Sequence, residues 1–65
     1  MGNSLVTIII VSFNASKFLD SCLQAIFANK YSNYEVIVVD NRSTDDTEKM
    51  LSIKYHRKKK LKTIF

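Results

Sequence analysis

Two short runs of the chain are apolar from end to end, and the segments after them alternate in a different way. "LVTIIIV" (Leu5 to Val11) and "EVIVVD" (Glu35 to Asp40) are brief, β-branched and too short for a buried helix. Such runs predict strands of a parallel sheet, covered on both faces. Between them Phe18, Leu19, Cys22, Leu23, Ile26 and Phe27 recur at spacings of one, three and four, against Lys17, Asp20, Ser21 and Gln24. That stripe predicts an amphipathic helix that lays Phe18, Leu19, Leu23 and Ile26 on the sheet. Asn14 or Ser16 is placed to cap it.

The polar segment "NKYSNY" reads as a loop, so the first forty residues form a β-α-β unit, whose crossover is right-handed in nearly all known cases. A second helix is expected to begin between Ser43 and Asp46, with Ser43 and Asp46 as a capping box, and to run through Met50 and Leu51 to Tyr55. "LKTIF" (Leu61 to Phe65) gives an incomplete third strand. The fold class is α/β, Rossmann-like, in the order β-α-β-α-β. Residues 1–65 form a single partial domain, with one sheet face and the far edge short of covering elements and stability therefore marginal.

Composition adds limits. The chain has 65 residues, 46% of them hydrophobic, which suits a small globular domain. Its net charge of +4 is concentrated in "KYHRKKKLK", residues 54–62. This basic segment suits weak contact with an acidic membrane surface; a solvated helix end is the plainer reading, and nucleic acid is not an expected partner. The apolar runs are too short to span a bilayer. "MGNSLV" has neither the basic start of a secretory leader nor the Ser or Thr that myristoylation needs. Cys22 falls on the apolar helix stripe and reads as core, and His56 among lysines reads as solvated. "NAS" and "NRS" match glycosylation sequons, but they lie at the ligand edge of a chain expected in the cytoplasm. The adjacent Asp45 and Asp46 read as a helix start rather than a metal site.

In open α/β sheets, ligands bind beyond the carboxyl ends of the strands. Both strand ends turn polar here, into "SFN" and "DNRSTDDT". A parallel pair brings Ser12, Phe13, Asn14, Asp40 and Asn41 to one rim. There an aromatic face can stack on a base while oxygens accept its N–H groups or ribose hydroxyls. The competing reading is that these residues are caps and turns.

Taken in order, "IIIVSFN", "FLDSCLQAIF", "YSNYEVIVVD" and "DNRSTDDT" resemble the opening of a family 2 glycosyltransferase of the GT-A fold, over roughly Thr7 to Thr47. The resemblance implies binding of the nucleoside part of a nucleotide-sugar donor, a UDP- or dTDP-sugar. Val11, Ser12 and Phe13 match the segment that lines base and ribose, with Asn14 beside them. Asp40 matches the first acid after the second strand, and Asn41 stands where many members carry a second acid.

In the complete family the sugar passes to an acceptor hydroxyl with a divalent cation, Mn or Mg, as in the making of cell-surface polysaccharide. The metal-binding D-x-D and the catalytic base belong to later segments, so this chain alone is expected to bind no metal and to transfer no sugar. The implied setting is cytoplasmic, at the inner membrane face, with an oligomer or a missing C-terminal remainder completing the domain. Two other classes fit parts of the chain. A stand-alone nucleotide-binding or receiver-like module also places acids at strand ends. A basic phosphate-binding module accounts for the lysines.

Overall fold

A computed structural model describes residues 4–65; the reading of a leader or lipid signal at Met1, Gly2 and Asn3 lies outside them. The elements run β1 (Val6–Ser12), α1 (Ser16–Phe27), β2 (Tyr34–Asp40), α2 (Thr47–Lys54) and β3 (Leu61–Ile64). The three strands form one parallel sheet in the order β1-β2-β3. This is the expected β-α-β-α-β arrangement. Register pairs Val6 with Tyr34 and Ser12 with Asp40, so β1 and β2 end side by side.

Because both crossovers step in the same direction, two right-handed connections put both helices on one sheet face. Strand alternation shows it: Tyr34, Val36, Val38 and Asp40 are buried, while Glu35, Ile37 and Val39 are only half-buried. Leu19 and Leu23 from α1, Met50 and Leu51 from α2, and Tyr55 complete the core. At its edge the rings of Phe27 and Tyr34 lie 6.2 Å apart, and those of Phe27 and Tyr55 lie 5.9 Å apart. Tyr55 also ties the helices: its hydroxyl donates to Asp20 Oδ1 at 2.6 Å, and Lys54 Nζ pairs with Asp20 Oδ2 at 2.5 Å. These two donors, Lys54 first, hold the Asp20 carboxyl below its usual range. Burial, followed by the bond to Asp20, pushes the Tyr55 phenol up to about 12.

Several expectations need correction. Phe18 does not pack on the sheet: it is 72% exposed at the start of α1, although Leu19 and Leu23 are buried and Ile26 is half-buried. The apolar stripe is wider than the contact, and Phe18 falls at its outer margin. β1 is not covered on both faces, since Ile9 is 64% and Val11 73% exposed. Cys22 is half-buried rather than core. The helix starts also differ. α1 has Ala15 at its N-cap with no side-chain cap, so neither Asn14 nor Ser16 caps it. α2 begins at Thr47 with Asp46 as N-cap, and no Ser43–Asp46 capping box forms. Among the described residues no helix is long and apolar enough to cross a membrane.

With one face of the sheet open, the other carries the stability. Leu23 is fully buried at its centre. Leu23→Ala is expected to cost about 2–5 kcal/mol, a large share of what so small a domain holds. Urea unfolding followed by circular dichroism checks this; a cost below about 1 kcal/mol would show that the site is not core.

Candidate functional site

The polar segments that leave β1 and β2 meet at the carboxyl edge of the sheet and are stitched together. The ladder runs one step past the strands, with Asn41 N–H donating to Ser12 O at 2.7 Å. Asp40, only 6% exposed, turns its carboxylate onto the loop ahead of it. Its Oδ2 accepts Ser43 N–H at 2.9 Å and its Oδ1 accepts the Ser43 hydroxyl at 2.5 Å. Ser43 Oγ in turn accepts Asn14 N–H at 2.9 Å. Asn14 Oδ1 closes the loop by accepting Thr44 N–H at 2.6 Å and Asp45 N–H at 3.3 Å. Asp45 then reaches both helix starts. Its Oδ2 accepts Ser16 N–H at 3.2 Å, and its Oδ1 accepts Thr47 N–H at 3.0 Å and the Thr47 hydroxyl at 2.5 Å.

Each partner answers a local need. The first N–H groups of a helix have no partner within it, and anionic oxygens suit that end. With α1 lacking a cap of its own, Asp45 serves one N–H of each helix. The Thr47 hydroxyl bond is the main cause that draws the Asp45 carboxyl below its ordinary value. Two residues take left-handed backbone, Asn14 at φ 46° and Arg42 at φ 56°. Asn tolerates that region, whereas Arg pays about 1–2 kcal/mol. Arg42 sits between Asn41 and Ser43, where the chain must turn back on Asp40.

The sequence-derived rim is thereby divided in two. Ser12 and Asp40 are buried, on the helix-bearing face. Val11 and Phe13, the strand neighbours of Ser12, are 73% and 59% exposed, and Asn14 and Asn41 are exposed as well. Val11, Ser12 and Phe13 line one concavity of about 220 Å³, together with Ile10, Phe18 and Leu19. Asp40 and Asn41 are not among its lining residues, and Asn14 lines a neighbouring depression with Phe18 and Asp45. Ser12 Oγ is buried without a hydrogen-bond partner among the described residues.

Sequence reasoning missed Thr44 as a structural member, placed Asp45 at one helix start where it serves two, and gave Ser43 the wrong partner. The signal was the run of short oxygen-bearing side chains "STDDT", which read as one helix cap rather than as a clasp between loops. The carboxylates here are spent on N–H and O–H donors. Among the described residues no group of three or more His, Cys, Asp or Glu could hold a metal ion.

Residues 7–65 match the model of "Glycosyl transferase family 2". Over 45 residues the chain is 33% identical to glycosyltransferase GlyG of Streptococcus pneumoniae serotype 4, covering 69% of this chain and 15% of that protein. Over 46 residues it is 39% identical to a Methanococcus voltae protein named dolichyl N-acetyl-alpha-D-glucosaminyl phosphate 3-beta-D-2,3-diacetamido-2,3-dideoxy-beta-D-glucuronosyltransferase, covering 68% and 14%. An uncharacterized glycosyltransferase of Haemophilus influenzae is 37% identical over 43 residues, covering 66% and 13%. The chain thus spans only a small part of the length of these relatives.

The Asp45 bridge carries a pH signature. With its folded-state pKa depressed, Asp45 adds stability above its ordinary value of 3.8 and loses it as pH falls through the lower folded value. Asp45→Ala is expected to lower Tm near neutral pH, and the gap to the unaltered chain should narrow as pH drops below 3.8. Thermal melts across that range check it; a gap independent of pH would show that the carboxylate charge is idle.

Proposed function

The chain belongs to glycosyl transferase family 2, and from that premise we propose that its carboxyl-edge rim holds the nucleoside part of a nucleotide-sugar donor. The observation that carries this reading is the pair of exposed groups left at adjacent strand ends. The Phe13 ring and the Asn41 amide remain free of the clasp that occupies their neighbours. An exposed ring stacks on a base at modest cost, because every base has a π-face. The Asn41 amide oxygen accepts a base N–H and its NH₂ donates to a base carbonyl, which suits the N3–H and flanking carbonyls of uracil or thymine. Val11 walls the base, and Ser12 supports that wall through its backbone, its own hydroxyl being turned to the buried face. Asp40 and Asn14 work behind this surface, since their oxygens fix the loop that carries Asn41.

The reaction of the complete domain breaks the bond between the anomeric carbon and the donor diphosphate and forms one to an acceptor hydroxyl oxygen, whose proton goes to a base. This chain's residues contribute the first part only, donor capture and orientation, which keeps the anomeric carbon in one place relative to the acceptor. They do not fit the divalent cation of such reactions, Mn²⁺ or Mg²⁺. Both Asp40 oxygens and both Asp45 oxygens already accept hydrogen bonds within the rim. Cation and catalytic base are therefore assigned to other parts of the domain, and the chain alone is inactive in transfer.

A partial site binds weakly. Net hydrogen bonds of about 0.5–1.5 kcal/mol each support millimolar affinity at best. NMR titration with UDP or dTDP is expected to shift the amides of Val11 to Asn14 and Asp40 to Ser43. Phe13→Ala should weaken that response several-fold without unfolding the chain, since the ring is exposed. Shifts confined to Lys58–Lys62, unchanged in Phe13→Ala, would sink the reading. With a nucleotide sugar, Mn²⁺ and acceptors present, turnover above background would overturn the claim of inactivity.

A further inference from the structure

The basic segment is unused by the nucleoside rim, and the fold places it at the opposite pole. α1 and α2 both run from the carboxyl edge toward the amino edge of the sheet, so the turn after α2 closes over the start of β2. Its backbone is pinned there: Val36 N–H donates to Lys60 O at 2.8 Å, and Leu61 N–H to Lys58 O at 3.0 Å. Two of its ammonium groups rest on aromatic faces. Lys58 Nζ lies 5.0 Å from the centre of the Phe27 ring, and Lys60 Nζ lies 4.3 Å from that of Tyr34. Lys60 Nζ also donates to Ser32 O. Together with Arg57 and Lys59 these groups line a concavity of about 360 Å³.

Little opposes this charge. The ion pair among the described residues is Lys54 with Asp20, so no carboxylate neutralises Arg57, Lys58, Lys59 or Lys60. Lys30 lies in the loop between α1 and β2, at the same pole. The near carboxylate, Glu35, is held by the Thr7 hydroxyl at 2.7 Å. Asp40, Asp45, Asp46 and Glu48 all lie toward the other end, so the molecule is electrically polarised along the strands. Large apolar side chains stand out at the same edge of the sheet: Leu5 is 59% and Tyr31 41% exposed.

We propose that this pole docks on a bilayer surface rich in anionic phospholipid. Lysines are compact point charges that need no fixed bidentate partner, which suits a diffuse sheet of headgroup phosphates. Exposed Leu and Tyr at this pole suit the boundary between headgroups and acyl chains, which a nucleic-acid backbone does not offer. Seated this way, the strands stand off the surface. Seven residues at about 3.3 Å each put the nucleoside rim roughly 20 Å out, on the aqueous side where a soluble donor arrives. The proposal is independent of what the rim binds.

Co-sedimentation with vesicles tests it. The chain is expected to bind phosphatidylcholine vesicles carrying about one third phosphatidylserine, to ignore pure phosphatidylcholine, and to let go as NaCl rises from about 0.1 M to about 0.5 M. Each exposed cation removed should cost roughly fivefold in partitioning, so Arg57→Gln with Lys59→Gln should lose roughly 25-fold. Lys17→Gln with Lys49→Gln, at the other pole, should bind as the unaltered chain does. Equal losses in the two double variants, or equal binding to neutral vesicles, would overturn the proposal. So would release by millimolar inorganic phosphate, which would mark a small-anion site, or displacement from vesicles by an RNA oligonucleotide.

Discussion

Four short side chains hold the carboxyl edge of this sheet in shape, and the proposed nucleoside rim depends on them. Asp40, Asn14, Ser43 and Asp45 form a chain of hydrogen bonds from the end of β2, across the end of β1, to the starts of both helices. Parallel strands cannot be joined by a tight hairpin, so their exits are separate loops that the ladder follows for one bond, Asn41 N–H to Ser12 O. Backbone N–H groups at those exits need acceptors, and here side chains supply them in place of water. Asn14 accepts from two backbone N–H groups of the neighbouring loop, and Asp45 accepts from one at each helix start. The clasp thus answers a backbone need and leaves the groups outside it, Phe13 and Asn41, exposed.

How far the sequence foretold this varies by element. β-branched runs announced both strands, to within one residue at their boundaries, and the parallel order followed from the connection between them. Leu19 and Leu23 were legible as core because helical spacing repeats there. Phe18 was not, since hydrophobicity says which residues avoid water and not whether enough partner surface exists to cover them. The exposed face of β1 has the same origin: Ile9 and Val11 carry a buried-strand signature, and the described residues supply no layer over them. Family membership accounts for that signature, because the relatives are several times longer.

The rim was half legible. Strand ends pointed to Ser12, Phe13, Asp40 and Asn41, but period-two alternation alone could not say which were exposed. Register decided it, by pairing Ser12 with Asp40 on the buried side. The cap and clasp assignments were beyond reach, since Ser, Thr, Asn and Asp all serve either purpose and the choice depends on a loop thirty residues away in sequence. The left-handed turn at Arg42 was equally hidden, because a residue with a full side chain gives no hint of positive φ.

The central claim is that the two strand exits stabilise each other as one hydrogen-bonded unit. A double-mutant cycle on folding stability with Asn14→Ala and Ser43→Ala tests it most directly. If the clasp is one unit, either substitution releases the same loop, and the double variant loses less than the sum of the two singles, with a coupling of about 0.5 kcal/mol or more. Additive losses would mean that the two loops are held independently, and the account of the rim would be wrong.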